Sequence, residues 1–150
     1  MRRIIGLGLA MTLMAGAARA DEAQEKANIE LALSMWRGVI EQADVSAVLR
    51  YISPAYIQHN VNIAPGREGL LEGVKRLHDL PPGTRHTSKR LLRAVAQGDL
   101  VVLVWDQDFP DPKTQGQSKV AHSYVGQSFD MFRIKDGQIV EHWDDTRKTP

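Results

Sequence analysis

The chain has 150 residues, 19 Lys+Arg against 18 Asp+Glu and no cysteine. That composition excludes disulfides, thiol nucleophiles and thiolate metal sites, and the near-balanced charge argues against nucleic acid as a partner. Three of the 19 basic residues lie in the first 20 positions, leaving 16 against 18 acidic residues in the rest.

Those first 20 positions read as a removable signal peptide. Met1-Arg2-Arg3 is a basic start, the run from Ile4 to Ala17 is apolar and uncharged, and Ala18-Arg19-Ala20 is a small-x-small cleavage site before Asp21. The apolar run is shorter than the roughly 20 residues a spanning helix needs, so a stable membrane anchor is not expected after cleavage. A mature domain from 21 to 150, periplasmic or secreted, is the expectation.

Apolar residues Ile29, Leu33, Trp36, Val39 and Ile40 recur at helical spacing and predict a helix from Asp21 to about Gln42. Asp44 is placed to cap a second, shorter helix carrying Val45, Val48, Leu49 and Ile52, which Pro54 ends. Residues 55–61 read as a short strand, and Pro65-Gly66 as a turn. Leu70, Leu71, Val74 and Leu77 share one face of a third helix over 67–77.

From there the period changes to two. Strands are predicted over 86–95, 100–105, 122–135 and 138–145, with a turn at Gln97-Gly98-Asp99 and a polar loop, a candidate lid, over 106–119. Asp136-Gly137 is the strongest hairpin signal in the chain. Helices before an antiparallel meander define an α+β domain.

Alternation puts Val140, His142 and Asp144 on one face of the last strand, and His122, Tyr124, Ser128, Asp130 and Phe132 on one face of its neighbour. The hairpin brings Asp130 near His142 or Asp144. A carboxylate beside an imidazole in an apolar setting suits proton transfer next to a carbonyl. Arg133 is an alternative partner for Asp130, and His142 can equally be an ordinary buried histidine. Asn60 can instead satisfy backbone donors, and Trp36 can be plain core. No spacing matches a metal-ligand signature, so neither a metal nor another cofactor is expected.

The stretch Tyr56-Ile57-Gln58-His59-Asn60, the helix entry Pro65-Gly66-Arg67-Glu68-Gly69, and above all the run from Phe129 through Asp136-Gly137 to His142-Trp143-Asp144 resemble the SnoaL-like branch of the NTF2-like superfamily. The resemblance implies a cone of three N-terminal helices on a curved, mostly antiparallel sheet, with a pocket for a small hydrophobic carbonyl compound. Asp130 falls where ketosteroid isomerases keep a protonated aspartic acid, while Asn60 replaces their general base and Trp36 their tyrosine donor. The polyketide cyclases of the family are the nearer pattern. By that resemblance Asp130, His142, Asp144 and His59 are the catalytic candidates, and Asn60, Trp36, Tyr56, His122 and Phe132 the ligand-binding ones. Two functions stay open: a cofactor-free lyase or isomerase, and a non-catalytic small-molecule-binding or scaffolding domain. A homodimer paired through the outer sheet face is the expected assembly.

Overall fold

The structure, a computed structural model, describes residues 8–81, 88–110 and 123–146, with side chains from Asp21 onward. Helix α1 spans Gly8–Met35 and continues into a π-helical turn, Trp36–Glu41. Then follow α2 (Val45–Tyr51), β1 (Ile52–Gln58), α3 (Gly66–His78), β2 (Arg90–Gln97), β3 (Leu100–Pro110), β4 (Ser123–Lys135) and β5 (Gln138–Asp144). The strands form one sheet in the order β1-β5-β4-β3-β2. Its four C-terminal strands are antiparallel, and β1 joins β5 in parallel. Helices on one face of a curved sheet give the expected α+β cone.

Helix α1 crosses Ala20-Asp21 without a break. Residues 21–24 are exposed, and the first hydrogen bonds to the sheet come from Glu25, which accepts the Gly98 N–H at 2.8 Å, and Asn28, which donates to the Gly98 carbonyl at 2.9 Å. Among the described residues no helix is long and apolar enough to cross a membrane.

The π turn is where the helix widens to meet the rest of the cone. It buries Trp36, Gly38 and Val39. A Cβ on Gly38 would lie 2.8 Å from Ala47 Cβ, so only glycine lets the turn pack this closely on α2. Ala43, left-handed at φ 51°, reverses the chain, and Asp44 then caps α2 as expected, accepting the Ser46 N–H at 2.8 Å. Helix α2 ends at Tyr51, before Pro54, which lies in β1. Edge position explains that placement, because a proline there forfeits no bond to a second neighbour. The strand also bulges between Ile52 and Ile57, whose β5 partners Ile139 and Glu141 are only two residues apart.

β3 runs on to Pro110, replacing the first part of the expected loop, and the rest of that loop lies outside the described residues. The hairpin at Asp136 (φ 52°) and Gly137 (φ 73°) forms as read. One alternation differs. Arg133 pairs with Glu141 but Ile134 pairs with Ile139, so Val140 is the extra residue of a β-bulge. The bulge turns Ile139 inward, fully buried, and leaves Val140 half-buried instead of sharing the face of His142 and Asp144. The core closes around Val39, Val48, Ile52, Val74, Leu103 and Ile139.

Ile139→Ala costs about 2–5 kcal/mol and Val140→Ala about 1 kcal/mol. Urea unfolding of the two variants measures the difference.

Candidate active site

Asp130 is the centre of a buried polar chain and is 3% exposed. The β3–β4 register sets it opposite Leu103, and the β4–β5 register sets it opposite Asp144, with Phe132 opposite His142. Its Oδ1 meets His142 Nε2 at 3.0 Å. Its Oδ2 accepts from Trp105 Nε1 and from Lys89 Nζ, each at 2.7 Å. The Lys89 ammonium also lies 4.9 Å from the ring centre of Trp36 and 6.0 Å from that of Trp105, within cation–π range of both.

On its other side His142 Nδ1 lies 3.0 Å from Gln58 Oε1. That oxygen also accepts the Asn60 backbone N–H at 2.9 Å, which fixes the orientation of the amide and makes Nδ1 the donor. Gln58 Nε2 in turn donates to the Tyr56 hydroxyl at 2.9 Å. The chain therefore runs from Tyr56 through Gln58 and His142 to Asp130 and Lys89, joining β1, β5, β4 and the segment that leads into β2.

Burial pushes the Asp130 carboxyl up, but the His142 hydrogen bond, the Lys89 charge and the Lys89 hydrogen bond together outweigh it and hold the group below its ordinary value of 3.8. Asp130 is thus an ionised acceptor of three hydrogen bonds, and the proton it shares with His142 resides on the imidazole. This departs from the protonated aspartic acid of the steroid isomerases, because Lys89 supplies a compensating charge. Burial pushes the Tyr56 phenol well up, with the Asp144 and Asp130 charges adding, so Tyr56 stays a neutral hydroxyl.

Beside this chain is an apolar cavity of about 50 Å³. Trp36, Tyr56, Gln58, Phe132, Ile139 and His142 are among its walls. Asp130 is not, so it reaches the cavity through His142. The volume holds a few waters or a small organic fragment, far less than the roughly 300–1,000 Å³ of a drug-sized site. The Phe132 ring stacks on His142, centroids 4.9 Å apart, which fixes the tilt of the imidazole.

The remaining candidates divide. Asp144 joins the cluster's edge, where its Oδ2 accepts from Asn60 Nδ2 at 2.6 Å and its Oδ1 from the Thr146 N–H at 3.0 Å. Asn60 thereby ties the end of β1 to the end of β5 and lies off the cavity wall. His59 sits on the opposite face of the sheet, its side chain 41% exposed. There it pairs with Glu141 at 2.8 Å and stacks on Trp143 with centroids 4.9 Å apart. Neighbouring positions on an extended strand point to opposite faces, so His59 cannot join Gln58 beside His142. His122 lies outside the described residues. Arg133 also faces outward, paired with Glu141 and Asp99, and Lys89 takes the place beside Asp130.

Asp130, His142 and Asp144 bring potential ligand atoms within 4.8 Å of one another. Each of those groups already holds hydrogen bonds, and the Lys89 ammonium contacts Asp130 directly. A divalent ion there would meet a neighbouring cation and would have to break that network, so the cluster reads as a proton-linked chain. Three buried side-chain atoms have no hydrogen-bond partner among the described residues, Trp36 Nε1, Arg67 Nε and Ser128 Oγ. Each such orphan costs about 1–3 kcal/mol.

The SnoaL-like domain family matches residues 34–142, most of the chain, and the protein belongs to that family and so to the NTF2-like superfamily. None of the curated proteins matches it. Among solved structures it is similar to TsrD from Streptomyces laurentii, with 21% identity and TM-score 0.54 over 81% of this chain and 89% of that one. It is also similar to a protein of Acidithiobacillus ferrooxidans assigned as a polyketide cyclase, with 18% identity and TM-score 0.56 over 79% and 86%. An LEH-like epoxide hydrolase of M. tuberculosis shares 14% identity, with TM-score 0.56 over 81% and 83%. At such identities the likeness concerns the fold.

Lysine and glutamine were the parts that sequence reasoning missed. Asp130→Asn tests the charge assignment. A carboxyl held below its ordinary value stabilises the fold above that value and loses the contribution as pH falls through the folded value. Asp130→Asn is therefore less stable than wild type at pH 7. The gap closes as pH falls below 3.8, as thermal unfolding across a pH series will show.

Proposed function

We propose that the protein is a cofactor-free lyase or isomerase that moves a proton beside the carbonyl of a small hydrophobic compound, working outside the cytoplasm after loss of residues 1–20. The observation that carries this reading is the His142 imidazole, walled into an apolar cavity and held from behind by an ionised, buried carboxylate. His142 gives up and retrieves its Nδ1 proton when the substrate displaces the Gln58 amide that shares the cavity wall, and Asp130 holds the ring from behind through Nε2–H. Tyr56, a neutral hydroxyl on the same cavity, donates to the carbonyl oxygen as negative charge develops there. The small cavity selects compact substrates. His59 has no part in the proton chain.

Hydrogen–deuterium exchange at the α-carbon of small ketones such as cyclopentanone, followed by NMR in D₂O, tests it. Wild type accelerates exchange over buffer. His142→Gln lowers the rate by about 10²–10⁴-fold and Tyr56→Phe by about 10²–10³-fold, with folding kept. Absence of exchange, together with an unaltered small molecule carried through native mass spectrometry, favours the second reading, a binding domain. The small volume of the cavity and the saturated hydrogen bonds of Asp130 are what favour that alternative.

We also infer a homodimer paired through the outer sheet face. The pairs Val104–Phe129 and Met131–Trp143 and the neighbouring Val95 lay an apolar stripe there, with Phe129 and Val95 both exposed. Such a stripe on a folded surface calls for cover. Sedimentation velocity should give a dimer for wild type and a folded monomer for Phe129→Lys. A wild-type monomer at micromolar concentration contradicts the pairing.

A further inference from the structure

The proton chain makes no use of Arg67. This residue lies in the first turn of α3, and its side chain is only 22% exposed. Its Nε is sealed from solvent and has no hydrogen-bond partner. Its two Nη groups have no partner either, yet they keep access to the surface. Its ion-pair contact among the described residues is Glu68, which stands 3.6 Å from Nε, beyond hydrogen-bond length, and is itself 77% exposed. A guanidinium offers five donors and stays charged, so one this enclosed is seldom left without an acceptor.

The helical period places this charge. Arg67, Leu70 and Val74 stand at i, i+3 and i+7 and share one face of α3. Val74 is buried in the core, and Leu70 walls the apolar cavity together with His142. Helical side chains lean toward the N-terminus of their helix, so Arg67 extends beyond Leu70, toward the loop between β1 and α3. That loop supplies Ile63 to the same cavity wall. Gly69 lets the loop press against the helix, because a Cβ there would overlap the Ala64 carbonyl. Arg67 therefore stands at the rim of the cavity, on the side of Leu70 and Ile63.

We propose that Arg67 is a specificity-determining residue that takes the carboxylate of the substrate, and that the substrate is a small oxo acid, its ketone beside His142 and Tyr56 and its acidic end at the rim. The proposal rests on the proton-transfer reading and names the substrate class for it. The apolar wall suits the carbon chain, and the planar fork of a guanidinium matches a carboxylate through two parallel hydrogen bonds. A phosphate dianion would call for a second cation, whereas the charge beside Arg67 is the negative one of Glu68. With a neutral ketone in the cavity the Nη donors meet only water.

The test follows exchange beside the ketone in D₂O, by NMR, for levulinate, 5-oxohexanoate and 6-oxoheptanoate with the full mature protein. Each acid is paired with the ketone that carries a methyl group in place of its carboxylate: 2-pentanone, 2-hexanone and 2-heptanone. For the acid whose length fits, kcat/KM should exceed that of its ketone by about tenfold, the margin one charge-assisted hydrogen bond supplies. Arg67→Met should raise KM for that acid by about tenfold with kcat nearly kept, the mark of a group that binds the substrate and its transition state alike. Arg67→Lys should restore part of the preference, since it returns the charge without the fork. In ¹⁵N spectra the Arg67 guanidinium signals should shift and saturate with the acid and stay in place with the ketone. Equal kcat/KM for acid and ketone in every pair, or guanidinium signals that ignore the acids, overturns the proposal. Those wild-type outcomes decide it even if Arg67→Met fails to fold. Absence of all exchange, with a saturating guanidinium shift from the acid, sinks only the catalytic reading, whereas exchange of the ketones with no preference for the acids sinks only the role of Arg67.

Discussion

A single carboxylate inside an apolar cone organises this molecule. Asp130 sits on a central strand of the sheet, between neighbours that fill the core, and an isolated ionised carboxyl there would be strongly unfavourable. It is tolerated because three donors converge on it from three places, Trp105 on β3, His142 on β5 and Lys89 ahead of β2. Each donor requires its strand to hold register. A slip of one residue would carry its donor to the outer face, so the same network that stabilises the charge also specifies the pairing.

The consequences spread outward along hydrogen bonds. His142, fixed by Asp130 on one side and Gln58 on the other, presents its ring to the small cavity. Gln58 in turn links Tyr56 and the Asn60 backbone, so the parallel edge strand is tied into the site by its side chains as well as its ladder. Trp36 is a shared wall between the apolar cavity and a groove lined by residues of β2 and β3. The π turn that begins at Trp36 sets where that wall stands, and Gly38 within it allows the close contact with α2. Widened helical turns of this kind are frequent at functional sites because they re-aim a side chain without ending the helix.

Much of this was legible beforehand because it depends on local rules. Asp44 before an apolar run, Asp136-Gly137 between alternating segments, and the inward period of Ser128, Asp130 and Phe132 each state their structure within a few residues. The hairpin brought Asp130 near His142 or Asp144, and the structure pairs it with His142. What stayed hidden depends on long-range geometry. Lys89 belongs to a basic stretch with Arg85, Arg90 and Arg93, and nothing local marks which of these turns inward. Gln58 and His59 are adjacent, and only the parallel pairing of β1 with β5 decides that glutamine faces the cavity and histidine the outer surface. The bulge at Val140 shifts the alternation by one, which no period-two reading anticipates. The enclosed volume is a sum over the whole core and has no signature in any segment.

The ionisation of Asp130 is the claim on which the rest stands, and its carboxyl carbon reports it directly. A ¹³C NMR titration of selectively labelled protein should show the Asp130 Cγ at a carboxylate shift at pH 7, with its titration midpoint below 3.8. A neutral carboxyl shift at pH 7, or a titration step well above that value, would contradict the account. It would return Asp130 to the role of a protonated hydrogen-bond donor.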